Sequence, residues 1–424
     1  MNMQSIRPVT AAEQTFVDVF VERLGNLHGD GAIAAIRDGF MHDLREDGLP
    51  TRRIEAWHYT DLRNLLKKVP DGEGNSGVDA VSRLVEGSDV LAVVDGLARD
   101  GNVPEGVTLG FYRDSLTHGV AGQRMVLQHH DDLIGRLNGA LVNDGYSLTV
   151  GSGVELSKPL EVQVIQGGGQ SHSRFPVDIG KGVKATFVER HVSVGDERCL
   201  VSSITDLRVG DNADVIWIIS QERGIADTHF GQINIQLGAN AKLTLYVVNS
   251  GGNLVRQELN IVAKGQHSEL VLRGINLLGG DSHTDVTMTL DHLEPDCVSS
   301  ETFRNVVFDH AHGVFQGQIR VAQIAQKTDA KMACNTLLLS DHCDFSAKPE
   351  LEIFADDVQC GHGATVTDIE EEHLFYMKSR GIGERKARAL LVKAFVAELV
   401  EELEDDALIE ALEARIENWL DLHG

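Results

Sequence analysis

Apolar residues recur along this chain in two rhythms. Near the N-terminus, Phe16, Phe20 and Leu24 fall every fourth residue after Thr10, which can cap a helix. Ile33, Ile36 and Phe40 follow at spacings of three and four. That spacing marks one face of an α-helix and predicts helix from residue 10 to about 70. Residues 69–151 mix Gly, Asp and Asn turns with short apolar stretches and read as a linking and packing region. From Leu148 the rhythm shortens to alternation. Leu160–Ile165, Ala185–Val192 and Val215–Ile219 are β-branched runs broken by glycine turns, as strands require.

The turns themselves repeat. Gly180-Lys-Gly-Val183 leads into KATF, Gly210-Asp-Asn-Ala213 into DVIWII, Gly238-Ala-Asn-Ala241 into KLTLYV, and Gly265-Gln-His-Ser268 into ELVLRG. The leading glycines stand 30, 28 and 27 residues apart. A constant phrase of glycine turn, small residue and alternating strand is expected of a solenoid, in which each coil buries its faces on its neighbours. A β-sandwich also has many short strands, but it predicts no constant turn phrase. A parallel β-helix is therefore the expected core.

Helical spacing returns near Thr367. Thr367 and Glu370 have the spacing of a capping box, and Gly381 is placed to end that helix. Leu391, Phe395, Leu399 and Leu403 then recur every fourth residue, as do Leu408, Leu412, Ile416 and Leu420. Between Glu398 and Glu417 the only basic residue is Arg415. This predicts two amphipathic helices with acidic outer faces, either solvated or used to dock a partner. The chain thus divides into residues 1–150, helical and mixed; 151–366, the β-helix core; and 367–424, a C-terminal helical domain.

Composition narrows the function. Acidic residues outnumber basic ones 64 to 38, for a net charge of −26, which opposes general binding to nucleic acid or anionic lipid. No long uncharged apolar run suggests a membrane span, and MNMQSIRPVTAAEQTF lacks the apolar stretch of a secretory signal, so cytoplasmic residence is expected. The 43 glycines fit a turn-rich β architecture. The five cysteines, Cys199, Cys297, Cys334, Cys343 and Cys360, form no Cys-x-x-Cys pair, so neither a disulfide framework nor a zinc ribbon is indicated.

Several motifs are decoys. Gly180–Ala185 fits the G-x-G-x-x-A dinucleotide pattern but leads into strand, not helix. Gly381-Ile-Gly383 resembles a DNA-binding hairpin, yet its acidic surroundings favour a plain helix junction. His310 and His312 read as an ordinary polar turn. There is no Walker A loop, no G-x-S-x-G and no H-E-x-x-H, so no ATPase or hydrolase site is expected. A β-helix polysaccharide lyase or hydrolase would usually carry a secretion signal and an aromatic groove, both missing here. The unusual segment is Asp356–Thr365, where Cys360 and His362 alternate on one strand face and Gly361 and Gly363 leave the other bare. A thiol and an imidazole so placed suit a soft metal or an iron–sulfur fragment, and equally a buried Cys beside a hydrogen-bonded His. Cys334 and Cys343 lie close upstream, which favours chemistry.

The run AKPELEIFADDVQCGHGATV from Ala347, with GVFQGQIRVAQIAQKTDA before it and HLFYMKSRGI after it, resembles the core signature of the SufB/SufD family of iron–sulfur cluster assembly scaffolds. Glu55-Ala-Trp57-His-Tyr59-Thr60 is similar to a phrase on the SufD side of that family, and the resemblance covers residue 50 to the C-terminus. It implies a right-handed parallel β-helix between helical ends and a scaffold role without ATPase activity of its own. It implies SufB as a partner through the last coils, and the ATPase SufC on the C-terminal helices at Leu391, Phe395, Leu399 and Leu403. It implies a transient iron–sulfur cluster at the SufB–SufD interface and no tightly bound cofactor in the isolated chain; no flavin motif is readable. His362 falls at the family's cluster-site histidine and Cys360 at the motif cysteine, with Gly361 where serine is usual. Matching CNTLLL to the SufB phrase C-D-S-L-L-I puts Cys334 at SufB's acceptor cysteine, which a homodimer could present to His362. The alternative is a purely structural adaptor that recruits SufC without ligating anything.

Overall fold

The computed structural model describes residues 7–423. Its centre is a β-solenoid of about eight turns. From Tyr146–Val150 onward, strands that follow one another in sequence enter opposite sheets, and in all ten strands form one sheet and nine the other. Except for one antiparallel pair at the N-terminal edge of each sheet, neighbours are parallel, and through the coils they are one turn apart, as with Lys242–Asn249 between Asp214–Glu222 and Glu269–Leu278. The glycine phrase accounts for the coiling. Its third residue adopts a left-handed backbone in coil after coil: Gly182 at φ 65°, Asn212 at 55°, Asn240 at 52° and His267 at 58°. Glycine and asparagine tolerate that region best. A Cβ on Gly210 would come within 2.7 Å of the Ile179 carbonyl oxygen in the preceding turn, so stacked turns demand glycine there. Pro295-Asp296 and Gln326-Lys327 replace the glycine phrase further along, with Asp296 and Lys327 again left-handed.

Inward side chains make one continuous core, including Phe187, Trp217, Leu245, Leu272, Phe303 and Phe315. One interior column is polar. Asn249 Nδ2 donates to Asn276 Oδ1 at 2.8 Å, Asn276 to Asn305 Oδ1 at 2.7 Å, and Asn305 to Thr336 Oγ1 at 3.0 Å.

The outer faces are covered separately. The helices Ala11–Arg23, Gly31–Asp47 and Leu133–Leu141 share a core with Leu200, Ile204, Phe230 and Leu254 on the nine-stranded sheet. Thr10 caps the first helix in a full capping box with Glu13. Beyond Asp47 the expected helix gives way to short turns, because Gly48 and Pro50 interrupt it. The unassigned stretch 69–151 is more structured than its pattern suggests. Asp89–Val94 pairs in parallel with Leu160–Gln166, and Tyr146–Val150 with Gly169–Ile179, as the first coils.

At the other end, Glu384–Val400 and Asp406–His423 fold back on the ten-stranded sheet, burying Val396, Leu399, Leu412 and Trp419 against Tyr246, Ile275 and Val306. The proposed box at Thr367 and Glu370 does not form. Thr367 ends the last strand, and the helix Glu371–Ser379 starts after Glu370 with no side-chain cap. Gly381, at φ 85°, does end that helix: its N–H donates to Lys378 O, and that of Ile382 to Met377 O. Gly180–Ala185 is a turn entering the strand Lys184–Ser193. No helix among the described residues is long and apolar enough to cross a membrane.

Candidate functional site

The solenoid ends without a cover. Gln359–Thr367 is the edge strand of the ten-stranded sheet, paired only with Asp329–Leu338, and Asp344–Ile353 is the edge of the other sheet. Along Gln359–Thr367 every side chain is exposed except Cys360, which is half-buried. Parallel pairing keeps side chains in columns, so the register assigns their faces. Cys360 continues the column Ser299–Ala330, and His362 continues Glu301–Met332. Both columns line the interior. Cys360 and His362 therefore lie on the lumen side of the last coil, at its open mouth, as the alternation implies. Gly361 and Gly363 take the opposite side, where an added Cβ would meet nothing within 4 Å.

The local chemistry differs from residue to residue. Burial, with the carboxylates of Asp329 and Glu301, pushes the Cys360 thiol up, while a hydrogen bond from Ala330 opposes this. Cys360 is thus a neutral thiol in the isolated chain. Cys334 lies one coil deeper, beneath Ala364, and is fully buried. Burial pushes its thiol up to about 12, and Asn305 Nδ2, at the end of the polar column, donates to its Sγ at 3.3 Å. Cys343 is buried in a turn, with Sγ donating to the carbonyls of Val307 and Ser340. Cys334, Cys360 and His362 thus occupy adjacent coils, while Cys343 stands apart. His310 and His312 diverge, stacking on His342 and His283 respectively, each at 5.0 Å.

One residue of this region went unnoticed in the sequence. Glu301 points inward two coils below His362 and forms no ion pair among the described residues. Burial pushes its carboxyl up to about 8. Alternation within VSSETF, anchored on the inward Phe303, was the signal that could have found it.

The C-terminal row expected to dock a partner divides between buried and half-buried positions. Leu399 and Leu403 are 2% and 5% exposed, packed in the core shared with the ten-stranded sheet, while Leu391 and Phe395 are half-buried. A stripe every four residues buries one face, and here the chain's own sheet covers it. Part of the acidic face is also engaged. Arg273 pairs with Glu402 at 2.6 Å, Arg304 with Glu398 at 2.5 Å, and Tyr246 Oη donates to Leu399 O. The large apolar side chains left exposed in this region are Phe375 at 74% and Tyr376 at 59% on the preceding helix, with Leu390 at 41% and Leu422 at 81% on the two helices themselves.

Comparison with known proteins gives a consistent result. The family described as SUF system FeS cluster assembly, SufBD core domain, matches residues 163–395. The iron–sulfur cluster assembly protein SufD of Escherichia coli is 30% identical, over 89% of this chain and 90% of that protein. An iron–sulfur cluster assembly SufBD family protein of Synechocystis is 25% identical over 88% of both chains. The chloroplastic protein ABCI7 of Arabidopsis thaliana is 26% identical over 92% of this chain and 88% of its own length.

Proposed function

This chain belongs to the SufB/SufD family and acts in iron–sulfur cluster assembly, and on that premise we propose that its open last coil is one half of a two-chain assembly site. The observation that carries this reading is the geometry of the uncovered coil. A thiol and an imidazole face the mouth of the lumen, and two glycines leave the outer side bare for a close-packed partner.

In this reading SufB docks end to end on the edges Asp344–Ile353 and Gln359–Thr367, and the nascent cluster is cargo held between the chains. His362 ligates iron through a neutral imidazole, and Cys360 supports it once partner or metal draws off its proton. Cys334, sealed and neutral here, takes part only if the last strand shifts. A second copy of the chain meeting the same edges would give a homodimer when SufB is absent.

The ATPase SufC engages the C-terminal helices through the exposed Phe375 and Tyr376 and the half-buried Leu391 and Phe395, rather than the buried Leu399 and Leu403. Because Arg273 and Arg304 tie the helix region to Glu269–Leu278 and Val298–Val307, a pull there reaches the coil that carries Glu301, two coils below His362. The protein itself serves as a non-enzymatic scaffold in the cytoplasm.

The test is His362→Ala in the purified three-protein complex, with iron, sulfide and transfer to an apo-acceptor measured anaerobically. Loss of cluster content with the complex intact is expected. Unchanged iron, sulfide and transfer would leave only the adaptor reading, in which Leu391→Asp alone breaks function by releasing SufC.

A further inference from the structure

Far from the open coil, on the outer face of the nine-stranded sheet, the N-terminal region meets the solenoid through an imidazole and two buried carboxylates. Asp132 caps the helix Leu133–Leu141, its Oδ1 accepting from Gly135 N at 2.6 Å and its Oδ2 from Gln128 N at 2.9 Å. Glu258 reaches out from the strand Leu254–Ala263. The two carboxylates are 0% and 1% exposed, and Gln232 Nε2 donates to both, at 3.0 Å and 3.2 Å, holding them side by side. His129 stands above them. Its Nδ1 faces Asp131 Oδ1 at 2.7 Å, which turns Nε2 toward Glu258 Oε2 at 3.7 Å.

We propose that His129, Asp132 and Glu258 form a binding site for one first-row divalent cation that staples the N-terminal region to the solenoid. One ligand atom from each lies within 4.8 Å of the others. Three donors bound to one ion at about 2.0–2.2 Å lie about 3.3–3.8 Å apart, so a closure of up to about 1.5 Å, within reach of side-chain rotation at the part-exposed His129, completes the site. The donor set, one imidazole nitrogen and two carboxylate oxygens, suits zinc, manganese or ferrous ions. Asp131 behind the imidazole supplies the carboxylate–histidine arrangement that orients such ligands.

The surrounding charges favour a cation. Arg256 is shared between Glu258 and Asp285, and Arg174 is taken by Asp206, which leaves Asp131 and Asp132 without an arginine. His129 is about a third exposed and gives the ion a route in.

Cobalt(II) added to the full, chelator-treated chain reads the site directly. The expected result is one equivalent per chain, a visible d–d band without sulfur-to-cobalt charge transfer, displacement by zinc, and a higher Tm. His129→Ala and the near-isosteric Glu258→Gln should abolish the band, and Asp131→Asn should weaken binding about 10- to 100-fold. The double variant Cys360→Ala, His362→Ala should keep it, which separates this site from the open coil. Absence of a band in the folded wild-type chain overturns the proposal. So does a band that survives in folded Glu258→Gln, or one that depends on Cys360. If His129→Ala does not fold, Glu258→Gln and Asp131→Asn decide.

Discussion

The coil containing Val298–Val307 and the coil that ends the solenoid share a strand rhythm but differ in what surrounds them. In the first, Phe303 is fully buried and packs on Phe315 with ring centroids 4.4 Å apart, and the C-terminal helices cover its outer side. In the last, the same alternation leaves Gln359–Thr367 almost wholly exposed. One sequence pattern thus supports either a closed rung that contributes stability or an open rung that offers edges and side chains. The difference lies in the next layer, which the strand itself does not encode.

Truncation is the most forceful way to break this comparison. Phe303→Ala should cost about 3–5 kcal/mol in urea unfolding, because a large buried ring leaves a cavity. Val366→Ala in the last strand, 43% exposed, should cost less than about 0.5 kcal/mol. Equal losses would show that the last coil is covered in the isolated chain.

Glu301 sharpens the boundary between the two environments. Its carboxyl is raised from 4.5 to about 8 in the folded chain, so the native state holds a proton that the unfolded state releases. Stability from this group is full below pH 4.5 and falls as pH rises through 8. Glu301→Gln should therefore stabilise the chain progressively over that window, by on the order of 5 kcal/mol at pH 9. A pH-independent difference in Tm would mean that the carboxyl is solvated through the open mouth.

The smallest effect on stability belongs to Gly361→Ala. An added Cβ meets nothing in this chain, so unfolding should move by less than about 0.5 kcal/mol. Binding to the partner that covers this rung should weaken measurably in titration. Unchanged affinity would place the partner elsewhere.

The coils were legible because their constraint is local. A left-handed residue and a glycine that must stack on the preceding turn recur in a fixed phrase, as at Gly210 and Asn212. That Cys360 and His362 share one face was legible for the same reason, since alternation groups them, but that this face is the lumen came from the register with Glu301 and Met332. Burial of Leu399 and Leu403 was not, because a helical stripe shows that a face is covered but not by what. Asp89–Val94 was missed because its partner strand, Leu160–Gln166, lies far along the chain. Thr367 looked like a cap because its spacing with Glu370 is right, but pairing to Leu337 held it in strand. His129 and Glu258 are more than a hundred residues apart, and only the folded coil brings them together.

The strand order has a consequence for the order of folding. From Leu160 onward each rung rests on the one laid down a coil earlier, so sheet contacts there span nearly the same stretch of chain, and structure can propagate from one end. During synthesis the early coils can close while the later ones are still being made. The rung bearing Cys360 and His362 comes last, and the helices that brace its neighbours follow it. An incomplete chain therefore displays a different edge from the finished one, and truncation products should be unable to compete for the same partner.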